Sequence, residues 1–175
     1  KYKNLILDEL VNLKEDGSFR LNMKYFNYAT GLTMTNDKFS KLFGQKVRDP
    51  EIDLLTQFHM DIAASVQAVT EEIVLRLTTA IAKETGSKNL CMAGGVALNC
   101  VANGKIFKKN IFDNIWIQPA AGDAGGSLGA ALAFWYQELG NKRNINHGND
   151  QMSGSYLGPS FNSTEVENTL NSLGA

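Results

Sequence analysis

The chain has 175 residues, 43% of them hydrophobic, with 17 basic against 18 acidic side chains. That length suits one domain or one large subdomain with a sizeable core, and a net charge of −1 gives no electrostatic footing for nucleic acid or an acidic membrane surface. No apolar run approaches the ~20 residues of a membrane span, and Cys91 and Cys100 stand outside any CxxC pair, which fits a reduced, cytoplasmic setting without disulfide or structural zinc.

In chain order, Ile6, Leu10 and Leu13 mark one face of an opening helix that Asp16-Gly17 closes. Residues 18–26 alternate in part and suit a strand, whereas 27–48 show no sustained period and read as a loop or excursion. Asp49-Pro50 reads as an N-cap with the first helical residue. The strongest periodic segment runs from there to Thr85, with Ile62, Val66, Val69, Ile73, Leu77 and Ile81 on one stripe and Gly86 as its stop. It is either one helix or two that break near His59.

Two strand, glycine-loop, helix units follow. Residues 90–93 form a short apolar strand that enters Gly94-Gly95, with a helix over 97–109. Residues 115–118 form the next strand, followed by a loop of small residues over 119–126 and a helix over 127–139 that turns Leu128, Leu132 and Trp135 inward. Such repeats give parallel strands with right-handed crossovers, with both loops at one sheet edge. Past Gly140 the composition turns polar, so the main domain is placed at 1–140 and a linker with the start of a following helix at 141–175. Asn162-Ser163-Thr164-Glu165 has capping-box spacing, and Val166, Leu170 and Leu173 line one face after it. The chain opens inside one periodic stretch and stops just after another, as a piece cut from a longer protein at both ends would.

The glycine loops carry the chemistry. A loop between a parallel strand and a helix offers free N–H groups and the positive end of the helix dipole. Glycine removes the Cβ that would keep an anion at a distance. Asn99, just inside the following helix, adds a side-chain amide suited to a ribose, phosphate or carbonyl. Asp123, among Gly122, Ala124, Gly125 and Gly126, is a carboxylate with nothing large to shield it from a metal or a reacting oxygen. Together these features read as a nucleotide or phosphate site at the carboxyl ends of parallel strands.

Plainer readings stand beside these. A Gly-Gly after a strand also makes a tight turn, and Asp123 also fits a helix cap, although Ser127 is better placed for one. His59 fits a helix-surface or satisfied histidine, since no other His or Cys stands at ligand spacing, and His147 lies in the polar linker. Trp116, Trp135 and the methionines read as core, and Cys91 and Cys100 as small hydrophobes.

The wording of these loops is specific. LCMAGGVALNCVAN over 90–103 and QPAAGDAGGSLGAA over 118–131 closely resemble the nodulation-factor and antibiotic O-carbamoyltransferase family. DIAASVQAVTEE over 61–72 resembles the helix preceding those motifs in the family, and Leu157-Gly158-Pro159 its downstream LGP. The similarity extends over most of the chain from about Asp16 onward.

The resemblance implies the rear half of an α/β, ribonuclease-H-like domain of the actin, sugar-kinase and chaperone ATPase type. Its mixed sheet would hold parallel strands flanked by helices. It also implies a missing front half and a downstream adenylate-forming domain as partners. Carbamoyl phosphate and ATP would give carbamoyl-adenylate, whose carbamoyl group passes to a hydroxyl on a sugar or small-molecule acceptor. Gly94, Gly95, Val96 and Asn99 would match the adenylate-contacting motif, with Gly122, Gly125 and Gly126 as further cofactor-binding positions. Asp123 would be the metal-ligand aspartate and the catalytic residue, with iron as the divalent metal the family suggests. The family's HxxxH ligand pair is absent here, so the fragment alone is expected to be inactive. Another actin-like ATPase such as a sugar kinase, or a non-catalytic structural module, remains an open alternative.

Overall fold

The computed structural model describes residues 1–144 and 152–174. Contacts divide the chain into two units, Lys1–Gly122 and Asp123–Ala175.

In the first unit, a short helix α1 (Lys3–Leu5) opens into a π turn (Ile6–Leu10) and then straightens into β1 (Val11–Leu13). β1 pairs antiparallel with β2 (Phe19–Leu21), Val11 opposite Leu21 and Leu13 opposite Phe19. The single helix expected up to Asp16-Gly17 therefore stops at Leu10. Asp16-Gly17 forms the hairpin turn instead, where the Asp16 carboxylate accepts from the Ser18 N–H at 2.9 Å and from its hydroxyl at 2.7 Å. Helical spacing of Ile6, Leu10 and Leu13 concealed the change because a three-residue strand leaves almost no alternation to read. The strand expected over 18–26 ends at Leu21 and gives way to a 3₁₀ turn, Met23–Tyr25.

The supposed excursion over 27–48 contains a helix, α2 (Asp37–Phe43). Asn36 caps it by accepting from the Lys38 N–H at 3.0 Å, and Gly44 ends it at φ +75°. Seven residues are too few for a period to emerge. Asp49 is likewise a turn residue, not a helix cap: it accepts from Glu51 N–H at 3.0 Å, and its own N–H reaches the Asp53 carboxylate at 2.9 Å.

α3 (Gln57–Thr85) is one unbroken helix, closed at Gly86 with φ +65°. His59 lies in its first turn, where its Nδ1 accepts the Thr56 N–H at 3.0 Å. The histidine marks the start of the helix, and the break considered near it does not occur. One stretch of α3 shares a core with Ile6, Leu10, Val11, Tyr25 and Phe43 through Val69. Another meets Leu90, Ile106 and Phe112 through Val74, Leu75 and Ala82.

The glycine-loop units follow: β3 (Asn89–Met92), α4 (Cys100–Lys108) and β4 (Asn114–Ile117). β3 and β4 are parallel and in register, Asn89 beside Asn114 and Met92 beside Ile117, as expected. A 3₁₀ turn, Gly95–Leu98, separates β3 from α4. Among the described residues the hairpin and the parallel pair stay separate as two two-stranded sheets, where one mixed sheet was expected. An apolar cleft of about 700 Å³ is lined by Phe19 and Leu21 of the hairpin, Ile73 of α3 and Met92 of β3. Cys91 and Trp116 are exposed, against the core positions read for them.

In the second unit, α5 (Gly125–Ala133) runs into a π turn, Phe134–Glu138. Leu132 and Trp135, expected inside, are exposed. α6 (Ser163–Ser172) begins with the expected capping box, Glu165 N–H to Asn162 at 2.9 Å and Asn162 N–H to Glu165 at 2.7 Å. His147 lies outside the described residues.

Candidate functional site

Because β3 and β4 run parallel, both leave the sheet at the same edge. Their loops are joined there. The Gln118 N–H donates to the Met92 carbonyl at 3.1 Å, and the Gly94 N–H to the Ala121 carbonyl at 2.8 Å. The second loop braces itself as the Gln118 side chain accepts the Ala120 N–H at 3.1 Å.

Gly94 stands at φ +101° and ψ 157°, a conformation essentially reserved for glycine. Gly95 does not need it, since its φ lies outside the left-handed range. A Cβ built on Gly95 or on Gly122 meets nothing within 4 Å. The chain's own packing therefore does not demand glycine at Gly95. The first N–H groups of the following turn are those that any helical start leaves without a carbonyl inside the helix. Small residues beside unmatched donors form a surface an anion can approach. Val96, with 60% of its surface exposed, extends that surface with an apolar side chain.

Asn99 is the N-cap of α4 and accepts the Ala102 N–H at 3.1 Å. It is also paired with Gln67 of α3. The Asn99 amide donates to Gln67 Oε1 at 2.8 Å, and Gln67 Nε2 donates back to Asn99 Oδ1 at 3.1 Å. Gln67 Nε2 donates further to Glu71 at 2.9 Å, and Glu71 is ion-paired with Lys105 of α4. Hydrogen bonds from Lys105 and then Gln67 hold the buried Glu71 carboxyl below the usual glutamate range. The sequence pattern marks Asn99 but not Gln67, Glu71 or Lys105. Gln67 and Glu71 sit one turn apart on α3, but nothing in their spacing reveals that α4 supplies the partners. One turn beyond Asn99, Asn103 donates to the Ala97 carbonyl at 2.7 Å and fastens the 3₁₀ turn to α4.

Asp123 begins the second unit and is exposed. Its backbone carbonyl accepts the Gly126 N–H at 3.2 Å, and no described residue donates to its carboxylate. The N-cap position of α5 is Ala124, without a side-chain bond, and Ser127 lies within the first turn. Neither Asp123 nor Ser127 caps the helix, which removes the capping reading. Gly125 and Gly126 form the start of α5, and a Cβ on Gly126 meets nothing within 4 Å. Among the described residues no three His, Cys, Asp or Glu side chains gather as metal ligands. The groups present fit an anionic ligand at Gly95 and Gly122, but they do not by themselves complete a metal site.

Parallel strands whose glycine loops leave the same edge and are joined there define an α/β protein. The family follows from comparison: the carbamoyltransferase N-terminus family model matches residues 1–132, and the chain belongs to that family. An uncharacterized protein, sll1178, of Synechocystis is 62% identical over 97% of this chain and 27% of its own length. Nodulation protein NolO of Bradyrhizobium diazoefficiens is 42% identical over 50% of the chain and 19% of its own. Nodulation protein NolNO of Sinorhizobium fredii is 49% identical over 49% of the chain and 12% of its own. The chain thus spans about a quarter or less of these relatives. No described helix is long and apolar enough to cross a membrane.

Proposed function

We propose that this chain forms part of an O-carbamoyltransferase of its relatives' length, working in the cytoplasm. It would hold the adenylate of carbamoyl-adenylate, made from carbamoyl phosphate and ATP, while the carbamoyl group passes to an acceptor hydroxyl. In that transfer the acceptor oxygen bonds the carbamoyl carbon and loses its proton. The bond from that carbon to the phosphate oxygen breaks, and AMP departs. The observation that carries the reading is the pair of glycine loops at one sheet edge, tied by Gly94 and Ala121, with open space at Gly95 and Gly122. Amides at the turn would hold the phosphate and orient the reacting carbon. The ribonuclease-H-like architecture belongs to the same proposal.

For Asp123 we propose service as one ligand of a divalent cation, iron by family resemblance, with the remaining ligands supplied from outside this chain. An exposed carboxylate to which no described residue donates supports that role.

The test is product identity. A polypeptide of the relatives' length, given ATP, carbamoyl phosphate and hydroxyl-bearing acceptors, should release AMP with carbamoylated product. Release of ADP with a phosphorylated acceptor would assign a sugar-kinase-like activity instead. The 175-residue chain alone should give neither, because a divided cleft loses most of its contacts.

A further inference from the structure

We infer that Gln67 is a positioning residue, which with Glu71 and Lys105 fixes Asn99 so that it offers a ligand one N–H donor and no acceptor. This deepens the nucleotide reading of the glycine loop and rests on it.

The hydrogen-bonding valence of each group fixes this arrangement. A backbone N–H can only donate, so the atom of Asn99 that faces Ala102 N must be its oxygen, Oδ1. That oxygen also accepts from Gln67 Nε2, and its two lone pairs are then filled. Asn99 Nδ2 spends one hydrogen on Gln67 Oε1 and keeps one.

Gln67 is held in its orientation from the other side. An ionised carboxylate is an acceptor only, so the end of Gln67 that faces Glu71 must be its NH₂ group. Lys105 keeps Glu71 ionised by pairing with its second oxygen. The chain of bonds therefore has one polarity, set by the Lys105 cation at one end and the Ala102 N–H at the other. Reversing Gln67 would set its carbonyl against the carboxylate, and reversing Asn99 would set its NH₂ against a backbone N–H. Charge-assisted bonds at the Lys105 end make that reversal costly.

The consequence is selective. The free N–H of Asn99 suits a phosphate, carbonyl or ribose oxygen and rejects a ligand group that can only donate. A capping asparagine without the Gln67 pair would keep Oδ1 on Ala102 but leave its amide plane free to rock. Gln67 thus contributes to binding without touching the ligand, from α3, while Asn99 stands at the start of α4.

A double-mutant cycle tests this in the polypeptide of the relatives' length, with ATP as the probe, calorimetric affinity as the readout and melting temperature recorded beside it. Asn99→Ser keeps an oxygen for the Ala102 N–H but takes the donor out of reach, because its shorter hydroxyl does not extend to the place of the free amide N–H, and Gln67→Met removes the pair at similar length. Each should weaken ATP binding on the order of fivefold or more. The double variant should bind no more weakly than Asn99→Ser, since Gln67 acts only through Asn99. If Gln67→Met weakens ATP equally in both backgrounds, or in neither, the positioning role is overturned while the nucleotide loop stands. If Asn99→Ser binds ATP like the unaltered protein, the nucleotide reading of the loop fails and this inference with it. Should Gln67→Met not fold, the exchanged pair Gln67→Glu with Glu71→Gln decides. It keeps one carboxylate, one amide and an acceptor for Asn99, so it should retain affinity that Gln67→Glu alone loses. Equal loss in both would overturn the relay.

Discussion

Gly94 donates its N–H to the carbonyl oxygen of Ala121 at 2.8 Å, so the loop leaving β3 and the loop leaving β4 hold one another in place. Two segments 27 positions apart become one surface through this bond and the one from the Gln118 N–H to the Met92 carbonyl, and glycine geometry permits the first, because Gly94 sits at φ +101°.

Adjacent glycines should then respond differently. Gly94→Ala forces a side chain into a conformation L residues rarely adopt and should cost about 1–3 kcal/mol of stability. Gly95→Ala, with no positive φ and open space at its Cβ position, should stay within about 0.5 kcal/mol. Chemical denaturation of both variants measures the contrast. In ATP titrations of the longer polypeptide, Gly95→Val should weaken nucleotide binding without a matching loss of stability. Equal destabilisation by the two alanine variants would show that the loop has a different backbone.

Gly17 answers to another constraint. Its φ is +86°, and a Cβ there would fall on the backbone of Arg76 and Leu77 in α3. Arg76 also donates to the Lys14 carbonyl at 3.1 Å, so the hairpin turn is seated directly on the long helix. Gly17→Ala therefore combines a strained φ with a backbone clash, and should destabilise by about 2 kcal/mol or more. Thermal melting should show it clearly, while Gly44→Ala, also at positive φ but in open space, loses less. A Gly17→Ala variant as stable as the unaltered chain would separate the hairpin from α3.

How much of this was legible in the sequence depends on length and on partners. The 29-residue helix α3 announced itself because its stripe repeats over many turns, and β3 and β4 because glycine loops punctuate them. α2 and β1 stayed hidden, since seven residues and three residues do not establish a period. Exposure was misread wherever a residue type stood in for a neighbour. Trp116, Leu132 and Trp135 are apolar, and the sequence does not say what packs beside them. In the candidate site, Gly94, Gly95 and Asn99 were visible as a local pattern, whereas Gln67 lies 32 positions before Asn99 and meets it only through packing of α3 on α4.

The Glu71–Lys105 pair should write itself into the acid side of the stability profile. Glu71 is depressed in the folded protein, by Lys105 first and Gln67 second. A depressed carboxyl contributes stability that is fully present above its unfolded value, ~4.3, and lost as pH falls through the lower folded value. Lys105→Met should cost about 1 kcal/mol at neutral pH, since Lys105 is half exposed. The gap in melting temperature between the two proteins should be constant from pH 7 to about 5 and narrow toward pH 3. A gap independent of pH would mean that Lys105 contributes by packing alone.

Asp123 offers the sharpest separation of chemistry from folding. Its side chain is exposed, no described residue donates to its carboxylate, and Ala124 occupies the cap position of α5. Asp123→Asn keeps the size and removes the charge that a divalent cation requires of a ligand. Stability should therefore change by less than about 0.5 kcal/mol, as for a surface substitution away from packed contacts. In the longer polypeptide, bound metal measured by elemental analysis should fall, and carbamoyl transfer should fall on the order of a hundredfold or more. Formation of carbamoyl-adenylate, which the family resemblance gives to a separate downstream domain, should continue, so the variant accumulates the adenylate without passing its carbamoyl group on. ATP affinity at the Gly94–Gly95 loop should change far less than metal content, because the loop's donors are backbone groups. If Asp123→Asn retains both full metal content and full transfer, the carboxylate serves no metal, and Gly122 to Gly126 are glycine-rich for the backbone alone.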